Sequence, residues 1–444
     1  ALDWVYGYSA RQTRGAVKYD GEGRIVYPAA SLGVVLNKAK SAEQTETQSY
    51  FMGHTDEITA LDVHVATGVA ATANKGCGSI TLYVWDIATQ RTLKRIDCGA
   101  VGGVSALSFC PSGRHVVVAC QDKQHTVKLF NWKTGTLCAS VAGGPNKVLN
   151  LTFSASNSST LRILQGGVGH FKILEYDGTL GFSVKSGRYG SKKFDILTAC
   201  SLPLPPEGGN EFIVGLPNGM VAFVPVGETT LAGTTPVLIG VPVTAMCCAV
   251  IKEATSEEPA TVKIVIAGGR SQIKVVGSEL DIQMELDLSK PYGPLKDKSY
   301  GLMLNGNVRG FKSICVDKNQ RKILYGTSGG EIGEIDFENG ADMNEAPLVS
   351  SHFKDSLRGL QAHPIRQECL TAGDDKTVRV WDLQTHKMMT SVTLPDIVAC
   401  AAYAPNGQII VAGLGGNVRG KERTLPRDFD GKVAIISYLQ GVLN

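Results

Sequence analysis

Charge is scarce in this 444-residue chain, and what there is nearly cancels. Charged residues make up 19%, below the usual quarter or so, and 44 Lys plus Arg stand against 41 Asp plus Glu, for a formal net charge of +3. That balance lacks the basic excess of a general nucleic-acid binder, so no nucleic-acid partner is expected. Long apolar runs are missing too. The longest, such as Ile409 to Leu414, fall far short of the roughly eighteen residues that a membrane span needs, and no membrane partner is expected. There is no C-x-x-C pair among the eleven cysteines. Their odd number and scattered placement argue against a secreted disulfide framework. Buried, reduced thiols of a cytosolic protein are expected at Cys110, Cys120, Cys315, Cys369 and Cys400. The chain opens Ala-Leu-Asp-Trp, without a charged-then-apolar leader, and reads as part of a longer protein. No stretch sustains a helical period over three turns. Glycine, by contrast, is abundant at 51 residues, which suggests many tight turns.

What the chain does contain is an internal repeat. Its clearest copy runs from Leu357 to Asp382: LRGLQAHP, then ECLTAG, the polar turn Asp374-Asp375-Lys376, and TVRVWD closing at Trp381 and Asp382. A second begins at Gly53-His54, continues through ITALDVH and GVAATA, and closes with LYVWD at Trp85 and Asp86. Alternation in Thr377-Val378-Arg379-Val380-Trp381 fits a half-buried strand of period two. Both copies resemble the WD repeat, in which a Gly-His pair precedes Trp-Asp by some thirty residues. The physical logic is a buried hydrogen-bond chain from the Trp indole through a strand Thr and a His to a turn Asp. His352, Thr371, Asp375 and Trp381 supply all four groups. The earlier unit has His54 and Trp85, but NKGCGS at 74–79 offers no turn Asp, so packing is expected to hold that blade.

Weaker copies fill the intervals, with closing strands near Trp85, Phe130, Glu175, Phe223, Val275, Ile335, Trp381 and Ile436. A spacing of roughly 45 to 60 residues is that of one four-stranded propeller blade. With the strand-rich stretch from Ala16 to Gly53, nine blade-like units can be counted. One ring closes with about four to eight blades, so the expected fold is all-β: a WD-repeat β-propeller of about seven blades plus the start of a second, a tandem atypical propeller. The expected boundaries are an opening segment over 1–13, a first ring over 14–350, and two blades of a second ring over 351–444. Two blades cannot cover their own faces, so further chain or another protein is expected to complete them.

The opening LDWVYGY, Leu2 to Tyr8, lies directly before the atypical first blade and is similar to the HELP motif. Together with Gly53-His54-Thr55-Asp56 and the block Gly359, Leu360, His363, Pro364 and Leu370 to Asp382, it makes nearly the whole chain resemble the echinoderm microtubule-associated protein-like family. The resemblance implies a non-enzymatic cytoskeletal scaffold that binds tubulin or microtubules in the cytoplasm, with cilia and axonemes among its settings. Other cytoskeletal or ciliary proteins are further partners. A general WD adaptor for another complex is the alternative, because a fold alone does not fix function.

Individual constellations have readings of their own. Trp4, Tyr6 and Tyr8 are expected to pack between two rings rather than to form an exposed recognition patch. Arg188, Lys192 and Lys193, and Arg419, Lys421, Arg423 and Arg427, are candidate partner-binding residues that would attract an acidic surface, set against a plain solvated-loop reading. The long insertions at 39–47, 202–210, 253–260, 289–307 and 415–430 are candidates for partner-specific parts. Gly143 to Lys147 and Gly413 to Gly420 lack the spacing of a phosphate loop, and the eight histidines show no paired ligand spacing. No catalytic, cofactor or metal site is expected.

Overall fold

The computed structural model describes residues 2–38, 46–76, 78–99, 102–156, 158–179, 181–190, 192–203, 208–252, 260–288, 309–344, 347–352, 357–415, 430–439 and 441–443. These residues form nine antiparallel sheets, eight of four strands and one of three, with a single 3-10 turn at Val65–Thr67 among them. In each sheet the strands lie side by side in chain order, so every blade is a meander. That order follows from short turns between strands of alternating pattern, as in blade 8, whose strands are Leu357–Ala362, Glu368–Gly373, Thr377–Asp382 and Met388–Thr393 and where Cys369 faces Trp381 and Leu370 faces Val380.

The innermost strands of the first seven blades are Lys18–Tyr19, Ile58–His64, Val104–Phe109, Val148–Phe153, Thr198–Ser201, Val243–Lys252 and Phe311–Val316. Each touches the next, and Phe311–Val316 returns to touch Lys18–Tyr19, so seven blades close a ring. A register shift recurs near the start of the inner strand in several blades, at Ile58/Ala60, Val148/Asn150, Val243/Ala245 and Phe311/Ser313. Such bulges increase local twist, which suits strands that fan outward from a common axis. The core lies between blades. Leu82, Val84 and Ile96 of blade 2 pack on Val116, Val118 and Phe130 of blade 3, and Tyr27 and Val34 of blade 1 on Leu324 and Ile332 of blade 7. Each large side chain buried this way contributes about 1.5 to 3 kcal/mol.

Blade 7 departs from the expected four strands. Among the described residues its sheet holds Phe311–Val316, Lys322–Thr327 and Ile332–Asp336, and its outer edge is met by isolated bridges, Ile332 to Val349 and Ile335 to Asp342. Blades 8 and 9 pack on each other through Leu370, Val378 and Val380 against Val398, Ile410 and Ile436. Among the described residues nothing covers the far face of blade 9: Ile409, Val411, Val433 and Ile435 are exposed and alternate with buried or half-buried neighbours. The thiol expectation is corrected here. Cys400 sits on the innermost strand of blade 9, Val398–Tyr403, which no further blade covers among the described residues, and is exposed, and Cys315 is half-buried. Cys110, Cys120 and Cys369 are buried and unpaired. Of the long insertions, 253–259, 289–307 and 416–429, and parts of 39–47 and 202–210, lie outside the described residues.

Closure of the ring rests on a compact set of bonds. Val17 N–H donates to Ser313 Oγ at 3.0 Å, that hydroxyl donates to Val17 O at 2.9 Å, and Gly15 N–H donates to Lys312 O at 2.9 Å. Ser313→Ala leaves both Val17 groups without that partner in a buried seam. It should lower the unfolding free energy by about 1 to 3 kcal/mol, measured by urea denaturation. A loss within error of zero would show that the seam does not depend on this hydroxyl.

Candidate functional site at the amino-terminal joint

Blade 8 carries a complete four-residue hydrogen-bond chain. Trp381 Nε1–H donates to Thr371 Oγ1 at 2.7 Å, Thr371 Oγ1 lies 2.8 Å from His352 Nε2, and His352 Nδ1 lies 2.8 Å from Asp375 Oδ1. With the threonine proton directed at Nε2, the neutral imidazole carries its proton on Nδ1 and donates to the carboxylate. Arg379, fully buried, adds an ion pair to Asp375 at 3.1 Å. Burial alone would raise the Asp375 carboxyl. The hydrogen bond and charge of His352 and the charge of Arg379 outweigh that effect and hold it at about 2.

Blade 2 has the same chain without its last link. Trp85 Nε1–H donates to Thr72 Oγ1 at 3.1 Å, and Thr72 Oγ1 lies 2.7 Å from His54 Nε2. His54 Nδ1 has no hydrogen-bond partner among the described residues. Aromatic packing holds the imidazole instead: Phe51 and Tyr83 meet it edge-on, and Phe51 stacks on Trp85 at 4.8 Å and 2°. Without a carboxylate, burial pushes the His54 pKa down to about 4.

The amino-terminal segment crosses from this framework to blade 8. Trp4 stacks on His386 at 4.3 Å and 5°, Tyr6 tilts against Trp381 at 4.9 Å, and Tyr8 is buried, its hydroxyl donating to Thr327 O of blade 7 at 2.5 Å. Gln48 fixes the segment from blade 1: its Oε1 accepts from Val5 N–H at 2.9 Å and its Nε2 donates to Val5 O at 3.1 Å. Behind it, Arg309 and Glu331 form a buried ion pair, and Glu331 also accepts from the Thr327 hydroxyl. The three aromatics are thus wedged among blades 1, 7 and 8. Elsewhere, Arg188, Lys192 and Lys193 lie together on an exposed loop, with Lys192 5.9 Å above the Phe194 ring. Arg419, Lys421, Arg423 and Arg427 fall outside the described residues. Among the described residues, no three of His, Cys, Asp and Glu gather as a metal site would, and no helix is long and apolar enough to cross a membrane.

Residues 1–34 match the HELP motif, and residues 91–131 and 347–382 match the WD domain, G-beta repeat. The chain is 25% identical over 430 residues to the 77 kDa echinoderm microtubule-associated protein of Strongylocentrotus purpuratus, covering 93% of this chain and 55% of that protein. It is 25% identical over 441 residues to echinoderm microtubule-associated protein-like 3 of Mus musculus, covering 93% and 46%. This is a HELP-motif, WD-repeat chain similar to the echinoderm microtubule-associated proteins. The ciliary WD repeat-containing protein ctxp80 of Euplotoides octocarinatus is also similar, at 26% over 446 residues, covering 94% and 55%. The chain spans about half the length of the curated relatives it matches.

The HELP match thus runs from the wedged aromatics into the inner strands of blade 1, and the WD match at 347–382 contains the whole His352 chain. Sequence reasoning missed Thr72, although Thr72-Ala73 in its strand parallels Thr371-Ala372 and would have revealed it. It also missed Arg379 and the Arg309–Glu331 pair, which are buried once the blades are stacked. His386, the stacking partner of Trp4, stands in a turn with positive φ and carries no sequence signal.

Because folded His54 binds a proton less readily than its unfolded form, near 6.5, stability is intact above pH 6.5 and falls as pH drops toward 4. This residue should account for on the order of 2 to 3 kcal/mol of that loss. Urea midpoints across that range should fall less steeply in His54→Gln than in the natural chain. Equal slopes would remove His54 as the cause.

Proposed function

We propose that this chain is a non-enzymatic scaffold of the microtubule cytoskeleton, binding tubulin or microtubules through the surfaces of its blades, in cytoplasmic or axonemal settings. The observation that carries this reading is similarity over 93% of the chain to proteins named for microtubule association. The similar ciliary protein adds support for the axonemal setting. Physical support comes from the architecture: a stiff ring offers broad faces, and loops on a rigid scaffold are where partner contacts concentrate. We also propose the division into an opening segment over 1–13, a first ring over 14–350 and two blades of a second ring over 351–444. The exposed apolar rows of blade 9, Ile435 at 74% and Val433 at 62%, favour a neighbouring blade there. Trp4, Tyr6 and Tyr8 serve as packing residues at the joint, and the chains around His352 and His54 as structural networks.

The basic loop Arg188, Lys192 and Lys193 is the described candidate for contact with an acidic partner surface. Pelleting of the 444-residue chain with stabilised microtubules should be salt-sensitive. Reversing all three charges to Glu should weaken it by about tenfold at low ionic strength. Pelleting that reversal leaves unchanged would move the contact elsewhere on the molecule, and binding to neither microtubules nor free tubulin would contradict the scaffold reading.

A further inference from the structure

The axis of the seven-blade ring is a channel whose chemistry is not explained by packing. A cavity of about 320 Å³ lies there, lined by the inner strands. Its lining is mostly small and neutral, with residues such as Ser105, Asn150, Thr198 and Thr244. Among the described lining residues, four are charged: Arg14, Lys18, Lys312 and Asp62. Asp62 is already engaged. It pairs with Lys18 at 3.5 Å and accepts from Phe109 N–H at 2.9 Å. That pairing leaves Arg14 and Lys312 as cations without an ion pair among the described residues.

The two cations are brought together by the seam itself. Arg14 precedes Gly15, whose N–H donates to Lys312 O at 2.9 Å, and both Arg14 and Lys312 line the cavity. Lys147, the residue before the inner strand of blade 4, lies within Coulombic reach of Lys312. The pKa of Lys312 is lowered first by burial, then by the charges of Arg14 and Lys147, and that of Arg14 by burial. Arg14 and Lys147 are exposed and Lys312 is half-buried, so the chain holds like charges together at the open mouth of the channel, an arrangement that costs free energy unless an anion occupies it.

We propose that this mouth of the channel is a binding site for a small soluble oxyanion of the phosphate class, held by Arg14 and Lys312 with Lys147 at the rim. A guanidinium matches two phosphate oxygens at once and an ammonium serves as a point charge, so the pair suits an anion with two or more negative charges. Lys312 is half-buried on the inner strand of blade 7, which favours a soluble anion over a headgroup fixed in a bilayer. The proposal is independent of the cytoskeletal reading, since it concerns the axis rather than the outer surfaces.

Isothermal titration of the full 444-residue chain with pyrophosphate, against sodium chloride at matched ionic strength, tests it. One-to-one binding is expected, weakened at least about tenfold by Lys312→Gln and by Arg14→Gln and unaffected by Arg91→Gln, an exposed cation just before the outer strand of blade 2. Without ligand, Lys312→Gln should melt no lower than the natural chain, because it removes repulsion rather than a partner, and pyrophosphate should raise the melting temperature of the natural chain more than that of the variant. Heats no larger than those of chloride, or equal weakening by Arg91→Gln, would overturn the site. Preferential binding to vesicles bearing a phosphorylated inositol lipid would overturn a site for a soluble ligand.

Discussion

The seam between the first and seventh blades is the constraint on which the other contacts depend. A ring of sheets has no stable open form, because each missing neighbour exposes an apolar face and an unpaired inner strand. Here the seam is closed by a segment that starts far from its partners in sequence: Val17 meets Ser313, and Tyr8 meets Thr327. Such separations make closure a late and slow event in folding, since loop entropy must be overcome before the contacts form. The same segment then carries Trp4 and Tyr6 onto blade 8. One stretch of chain thereby closes the ring and fixes its attachment to the blades that follow.

Within blades, the hydrogen-bond chains show how one framework tolerates different endings. In blade 8 the imidazole is satisfied on both nitrogens and the carboxylate is further held by Arg379. In blade 2 the missing carboxylate is offset by aromatic packing from Phe51 and Tyr83, at the cost of a histidine that must stay neutral. Thr72 and Thr371 are the shared element, each accepting from an indole and facing a His Nε2.

The repeat was legible because strand alternation and turn residues are local properties. LYVWD and TVRVWD show their period directly, and His352, Thr371, Asp375 and Trp381 stand at offsets that a single blade dictates. What stayed hidden depends on which blades stack. Arg309, Glu331 and Arg379 look like solvated charges in sequence, but the packing of blades 7 and 8 buries them. Cys400 looks like a core thiol by its apolar neighbours, and is exposed because burial there requires a blade on the far side. Arg14 and Lys312 are nearly three hundred residues apart, and only ring closure places them at one channel mouth. The basic loop at Arg188 was visible as composition, while its exposure was a matter of tertiary structure.

The central claim is that the amino-terminal segment couples the closed ring to blade 8, and native-state hydrogen exchange on the Trp4→Ala/Tyr6→Ala double variant tests it most directly. The account predicts that amide protection falls in Lys322–Thr327 of blade 7 and Thr377–Asp382 of blade 8 together, while Val104–Phe109, across the ring, keeps its protection. Loss of protection confined to residues 2–19, with blades 7 and 8 unchanged, would contradict it.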